Sequence, residues 1–120
     1  MILVDTSVWI DHLRDGDERL IDLLDSSQVL VHPFVIGELA CGNLRERDEV
    51  LRLLNNLPQT SVASHEEVLY FIERNKLMGE GIGYIDAHLL AATALVDTAL
   101  IWTRDKRLQK LAGKLKLNLT

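Results

Sequence analysis

Three short, almost wholly apolar runs recur along this chain, each followed by a segment with helical spacing. They are Ile2-Leu3-Val4, Gln28 to His32 and Ala99 to Trp102. A strand that is apolar on both sides needs both sides covered, as in a parallel sheet between helices. Parallel strands also need crossovers long enough to hold a helix. The alternation therefore predicts an α/β protein with three layers, α/β/α, around a central, mostly parallel sheet. At 120 residues the chain has the length of one domain, spanning 1–120, and it shows no linker, repeat or low-complexity segment.

Between the strands the periodicity predicts helices over Ser7–Arg14 and around Leu20, Ile21, Leu23 and Leu24, separated by Asp15-Gly16-Asp17. Pro33 opens the next helix, since proline suits a first turn, and Gly42-Asn43 ends it. Glu46–Leu57 is a further helix, stopped before Pro58. Thr60–Ala63 reads as a short strand. Ser64 with Glu67 forms a capping box ahead of a helix over Glu66–Met78. Asp86–Val96 is a strongly apolar helix, Asp105–Ala112 another, and Lys116–Leu119 a last strand.

Hydrophobic residues make up 48% and charged residues 26%, which excludes extended disorder. No apolar run is long enough to span a bilayer. Met1 to Val4 meets Asp5 at once, without the basic and apolar stretches of a signal peptide. The single cysteine, Cys41, excludes an internal disulfide, fits a reducing cytoplasm, and is expected to be a small buried hydrophobe. The net charge of −5 is unevenly spread: residues 101–120 hold six bases against Asp105, leaving the acidic excess on residues 1–100. Both a solvated basic helix face and an RNA-contacting one are consistent with this tail.

In an open α/β sheet, ligands bind beyond the carboxyl ends of the strands. Asp5 follows the first strand there, and Asp105 lies just beyond Trp102. Asp86 opens the apolar helix, and Glu38 flanks the stripe of Val35-Ile36-Gly37-Glu38-Leu39-Ala40. Singly, Asp86 and Asp105 read as helix caps, and Glu38 as an exposed or paired glutamate. Asp5-Thr6-Ser7, however, offers three capping side chains where one would serve. Gathered at one sheet edge, the four would repel, with two unit charges ~4 Å apart costing about 4 kcal/mol at an effective dielectric near 20. No Lys or Arg adjoins Asp5, Glu38 or Asp86 in sequence, and an oxygen-only set selects Mg²⁺ or Mn²⁺ rather than zinc.

With these residues in place, the chain resembles the PIN-domain ribonucleases of the VapC type, toxins of toxin–antitoxin pairs. The resemblance rests on Val4-Asp5-Thr6-Ser7-Val8-Trp9-Ile10, on Val35-Ile36-Gly37-Glu38-Leu39, on Tyr84-Ile85-Asp86-Ala87-His88-Leu89-Leu90-Ala91, and on Leu100-Ile101-Trp102-Thr103-Arg104-Asp105-Lys106-Arg107-Leu108. It implies that Asp5, Glu38, Asp86 and Asp105 form an acidic metal pocket. Thr6 or Ser7, with Thr103, would hold those carboxylates or a water of the metal. Some relatives carry one more acid shortly after the position of Asp105. Here Lys106-Arg107 stands in that stretch, which weakens any second-metal site. The family cuts RNA, commonly forms homodimers, and is silenced in hetero-oligomers by a cognate antitoxin whose tail lies in a groove.

The chemistry expected is hydrolysis of RNA phosphodiesters with Mg²⁺, or Mn²⁺, leaving a 5′-phosphate and a 3′-hydroxyl. Asp5 and Asp86 are the first choices for direct ligands, with Glu38 or Asp105 binding through water or taking a proton. His12, His32, His65 and His88 show no zinc spacing. His88 is expected to be a packed or surface residue, and Trp9 a core residue. Gly79-Glu80-Gly81-Ile82-Gly83 follows a helix rather than a strand, so it is a flexible joint and not a dinucleotide loop. Leu51, Leu54, Leu57, Leu69, Ile72 and Leu77 read first as helix packing, with a dimer face or antitoxin groove as the alternative. A phosphoacceptor receiver-like domain fits less well, because the paired acids after the first strand and the middle-strand Asp are missing. A non-catalytic module finds no support, as none of the four acids is degraded.

Overall fold

β1 (Ile2–Val4) lies at the centre of a three-stranded parallel sheet, between β2 (Val29–Leu30) and β3 (Leu100–Trp102). Ile2 is in register with Val29 on one side and Leu100 on the other. All three β1 residues are buried, as a strand covered on both faces requires. The computed structural model describes all 120 residues.

Seven helices surround the sheet: α1 (Thr6–Asp15), α2 (Glu18–Asp25), α3 (Pro33–Ala40), α4 (Arg47–Asn55), α5 (His65–Arg74), α6 (Tyr84–Leu95) and α7 (Lys106–Lys114). Their starts have local causes. The Asp17 carboxylate accepts the Leu20 N–H at the head of α2. His32 Nδ1 accepts the Phe34 N–H at α3, which has Pro33 in its first turn. The Ser64–Glu67 capping box opens α5. From Ala87 to Thr93 every residue of α6 is buried, so the middle of this helix is covered all round rather than on one stripe.

The sheet order explains where a site can form. The chain runs from β1 to β2, then returns past β1 to β3. Right-handed crossovers in opposite directions put their helices on opposite faces. The carboxyl ends of β1 and β3 are then the topological switch point, where a crevice opens.

The remaining differences from the sequence reading are small. The strands expected over Thr60–Ala63 and Lys116–Leu119 reduce to single parallel bridges, Val31 with Gln59 and Ile101 with Asn118. Two backbone hydrogen bonds at each edge are all the pairing there is. α6 begins at Tyr84, so Asp86 is its third residue rather than its first. Trp9, Leu54 and Leu77 join the core, and Leu51, Leu57 and Ile72 pack against it, whereas Leu69 is exposed. Cys41 is also exposed, contrary to expectation. It caps the C-terminus of α3, beyond the turn whose inner face holds Leu39.

Candidate active site at the carboxyl ends of β1 and β3

Asp5 stands where a helix cap would, yet its side chain caps nothing. Its N–H is bonded across the sheet to the carbonyl of Trp102 at 2.9 Å, which ties the ends of β1 and β3 together. Its carboxylate is buried. Oδ2 accepts two hydroxyl protons, from Ser7 at 2.8 Å and Thr103 at 2.7 Å. Each hydroxyl is itself oriented by a backbone donor, Arg104 N–H on Ser7 and Asp105 N–H on Thr103. A hydroxyl that accepts an N–H in this way has its own proton free to give. Both donors engage Oδ2, leaving Oδ1 without a protein donor.

The other three acids are held on different segments, and Asp86 among them senses the charges of Asp5, Asp105 and Glu38. Glu38, exposed on α3, accepts the Thr6 hydroxyl at 2.7 Å, linking α3 to the first residue of α1. Asp86 is half-buried in the first turn of α6, where its carboxylate accepts the Gly83 N–H at 3.3 Å. Asp105 Oδ1 caps α7 by accepting the Leu108 N–H at 2.9 Å. The three hydroxyls named from the sequence, those of Thr6, Ser7 and Thr103, are all bonded to a carboxylate of the set. Gln109 was not singled out in the sequence. Its side-chain amide donates to the Thr103 carbonyl at 2.7 Å and fixes that loop from one turn into α7. Only its spacing behind Thr103 marked it, and that is no signal without the helix in place.

No Lys, Arg or His nitrogen lies within 4.0 Å of any of these four carboxylates. The adjacent Arg104 is turned away, onto Asp11 and Asp17, with its guanidinium over Trp102. Burial pushes the Asp86 carboxyl above the usual carboxylate range. The Gly83 N–H opposes that rise, while the charges of Asp5, Asp105 and Glu38 add to it. Asp86 thus senses the charge of all three other acids.

The donors are oxygens throughout, the chemistry of a hard divalent cation. No three His, Cys, Asp or Glu side chains close around one point as a direct ligand cage. The set therefore fits an ion bound through one or two carboxylates and otherwise hydrated, the usual habit of Mg²⁺. Beside Glu38 lies a cavity of about 820 Å³ between α1 and the α3–α4 connection, lined by Ile10, Leu13, Leu39 and Leu44 among others.

Known proteins resemble this chain in sequence and in fold. Residues 2–114 match the PIN domain, and the chain belongs to that family. Within it the chain is a homologue of the VapC-type ribonucleases. It is 55% identical over 109 residues to Ribonuclease VapC32 from each of two Mycobacterium tuberculosis strains, CDC 1551 and H37Rv, an alignment covering 91% of this chain and 88% of the relative. FitAcB from Neisseria gonorrhoeae shares the fold with a TM-score of 0.62 at 22% identity, over 94% of both chains. A chain of FitAB bound to an IR36 DNA fragment superposes with a TM-score of 0.61 at 21% identity, over 94% of this chain and 91% of that one.

Proposed function

We propose that this protein is a divalent-metal-dependent endoribonuclease acting in the cytoplasm as the toxin of a toxin–antitoxin pair. What supports the reading is that Asp5, Glu38, Asp86 and Asp105 have no cationic partner within 4.0 Å, and that Asp86 senses the charges of the other three. Kinship to a ribonuclease names the reaction.

Asp5, through its free Oδ1, and Asp86 are the residues that would hold Mg²⁺ or Mn²⁺ directly, with Glu38 and Asp105 acting across water. When bound, such an ion activates water and offsets charge on a phosphate and its leaving oxygen. Ser7 and Thr103 keep the Asp5 carboxylate in one rotamer, so the site is formed before substrate arrives. Glu38 and Asp105 each hold one oxygen on a protein donor, and one of the two takes the proton from the attacking water. In-line attack leaves a 5′-phosphate and a 3′-hydroxyl. The cavity beside Glu38 suits an antitoxin segment that brings apolar side chains to Ile10, Leu13 and Leu44. Incubating the protein with RNA tests the reading. Cleavage with Mg²⁺ or Mn²⁺, absent in EDTA and leaving 5′-phosphorylated fragments, is expected, and intact RNA under all conditions refutes it.

A further inference from the structure

A pocket of four carboxylates repels the polyanion it is meant to cut, so some cation must receive the substrate's phosphates near it. The chain's basic tail offers six candidates, and Arg104 is already occupied by Asp11 and Asp17. Lys106, Arg107, Lys110, Lys114 and Lys116 are all exposed, and none has a carboxylate within 4.0 Å.

Arg107 differs from the other four in being seated. Its guanidinium lies over Gly81, and its Nη1 donates to the Gly81 carbonyl at 3.4 Å. A Cβ on Gly81 would stand 3.0 Å from the arginine Cδ and 3.1 Å from Nη1. Gly81 also has φ +83°, a conformation that favours glycine. The glycine segment, expected as a flexible joint, is also the seat of an arginine. Two residues further on, the same loop supplies the Gly83 N–H to Asp86. At its other end, Arg107 is two residues past Asp105. The guanidinium therefore spans the two segments that deliver Asp86 and Asp105 to the pocket.

We propose that Arg107 is an RNA-binding residue of this site that takes a phosphate next to the one cleaved. This rests on the ribonuclease reading. Guanidinium presents five donors in a planar fork matched to phosphate. Here one of them makes a long bond to a carbonyl, no other has a protein acceptor, and the side chain is exposed. Stacking on Gly81 limits where the head can go, which a lysine at 110 or 114 lacks. The flank of a pocket built for phosphodiester chemistry favours RNA over an acidic protein segment as the occupant.

The test measures binding of a single-stranded oligoribonucleotide in EDTA, where no cleavage occurs, across a salt series. The proteins compared are wild type, Arg107→Gln, Arg107→Lys and the distal control Lys114→Ala. Arg107→Gln removes the charge and the Gly81 contact on a shorter but still polar exposed side chain, and a thermal melt checks that the fold is retained. Expected for Arg107→Gln is a loss of roughly tenfold in affinity and a salt slope shallower by about 0.7, the contribution of one phosphate contact in a single strand. Arg107→Lys keeps the slope and loses part of the affinity, and Lys114→Ala changes neither by more than about twofold. In cleavage assays Arg107→Gln raises KM and leaves kcat nearly unchanged. Wild-type affinity and slope in Arg107→Gln overturn the proposal, as do equal losses in Arg107→Gln and Lys114→Ala, which would mark diffuse charge. A loss of binding to an acidic peptide but not to RNA overturns it in favour of a protein partner. Cleavage by the wild type alongside any of these results leaves the ribonuclease reading standing, whereas a wild type that neither binds nor cuts RNA removes both.

Discussion

Asp86 holds its charge at a cost in the metal-free protein. Its carboxyl is raised by burial and by three neighbouring acids. A carboxyl raised in the folded state is more easily ionised when unfolded, so its ionisation lowers stability as pH rises through the carboxylate range. Asp86→Asn removes that charge and keeps an acceptor for the Gly83 N–H. Without metal, its melting temperature at pH 7 should be equal to or a few degrees above wild type, while RNA cleavage is abolished. Full activity in this variant would refute the assignment. Thr103→Val is the opposite case. It strips a donor from the buried Asp5 Oδ2 and an acceptor from the Asp105 N–H. A loss of about 1–3 kcal/mol follows from leaving such groups unpaired, read as a lower urea midpoint, together with reduced cleavage that Thr103→Ser largely restores. At this scale the sequence was legible where residues were redundant. Asp5-Thr6-Ser7 held too many caps for one helix, and the structure uses Ser7 to hold Asp5 and Thr6 to hold Glu38. Cys41 was not legible, because its exposure depends on where α3 ends rather than on its own chemistry.

Among the elements, α3 depends on a histidine. His32 is fully buried, and its Nδ1 is occupied by the Phe34 N–H at 2.9 Å. A ring nitrogen that accepts is unprotonated, so the ring is neutral with its proton on Nε2. Burial lowers its pKa from 6.5 to about 4, with the charge of His88 adding to the effect. A histidine pKa depressed by folding supports the native state above its unfolded value and withdraws that support as pH falls. Stability should therefore decline between pH 6.5 and pH 4 by an amount on the order of a few kcal/mol. His88, lowered by its own burial, acts in the same direction. His32→Asn retains a good N-cap and should flatten most of that decline in urea melts at pH 7 and pH 5. An unchanged decline would show that His32 is not its source. The Pro33 start and the Ser64–Glu67 box could be read directly, since they are written within four residues. The edge bridges at Gln59 and Asn118 could not, because one or two hydrogen bonds leave no pattern in side-chain type.

For the whole molecule, the order of apolar runs was enough to predict a parallel sheet. It did not give the strand order β2-β1-β3, on which the placement of the crevice depends. Nor did it show that Arg104 reaches 93 and 87 residues back to Asp11 and Asp17, leaving the pocket without a cation. The exterior adds a further expectation. Tyr70 on α5 and Leu95 on α6 are each exposed by more than 60% and line a shallow apolar hollow. Such a patch is where a homodimer of the kind the VapC resemblance implies would form. Light scattering should give about twice 13.6 kDa for the wild type, and a monomer for the Tyr70→Asp, Leu95→Asp double variant. A monomeric wild type would refute the homodimer.

Acids from four separate segments of the chain are proposed to need one inorganic counter-ion. Calorimetric titration of Mn²⁺ into the wild-type protein and into Asp5→Asn tests this most directly. A saturable heat with the wild type that disappears in the variant is the predicted result. No heat with either protein, or the same heat with both, would contradict it.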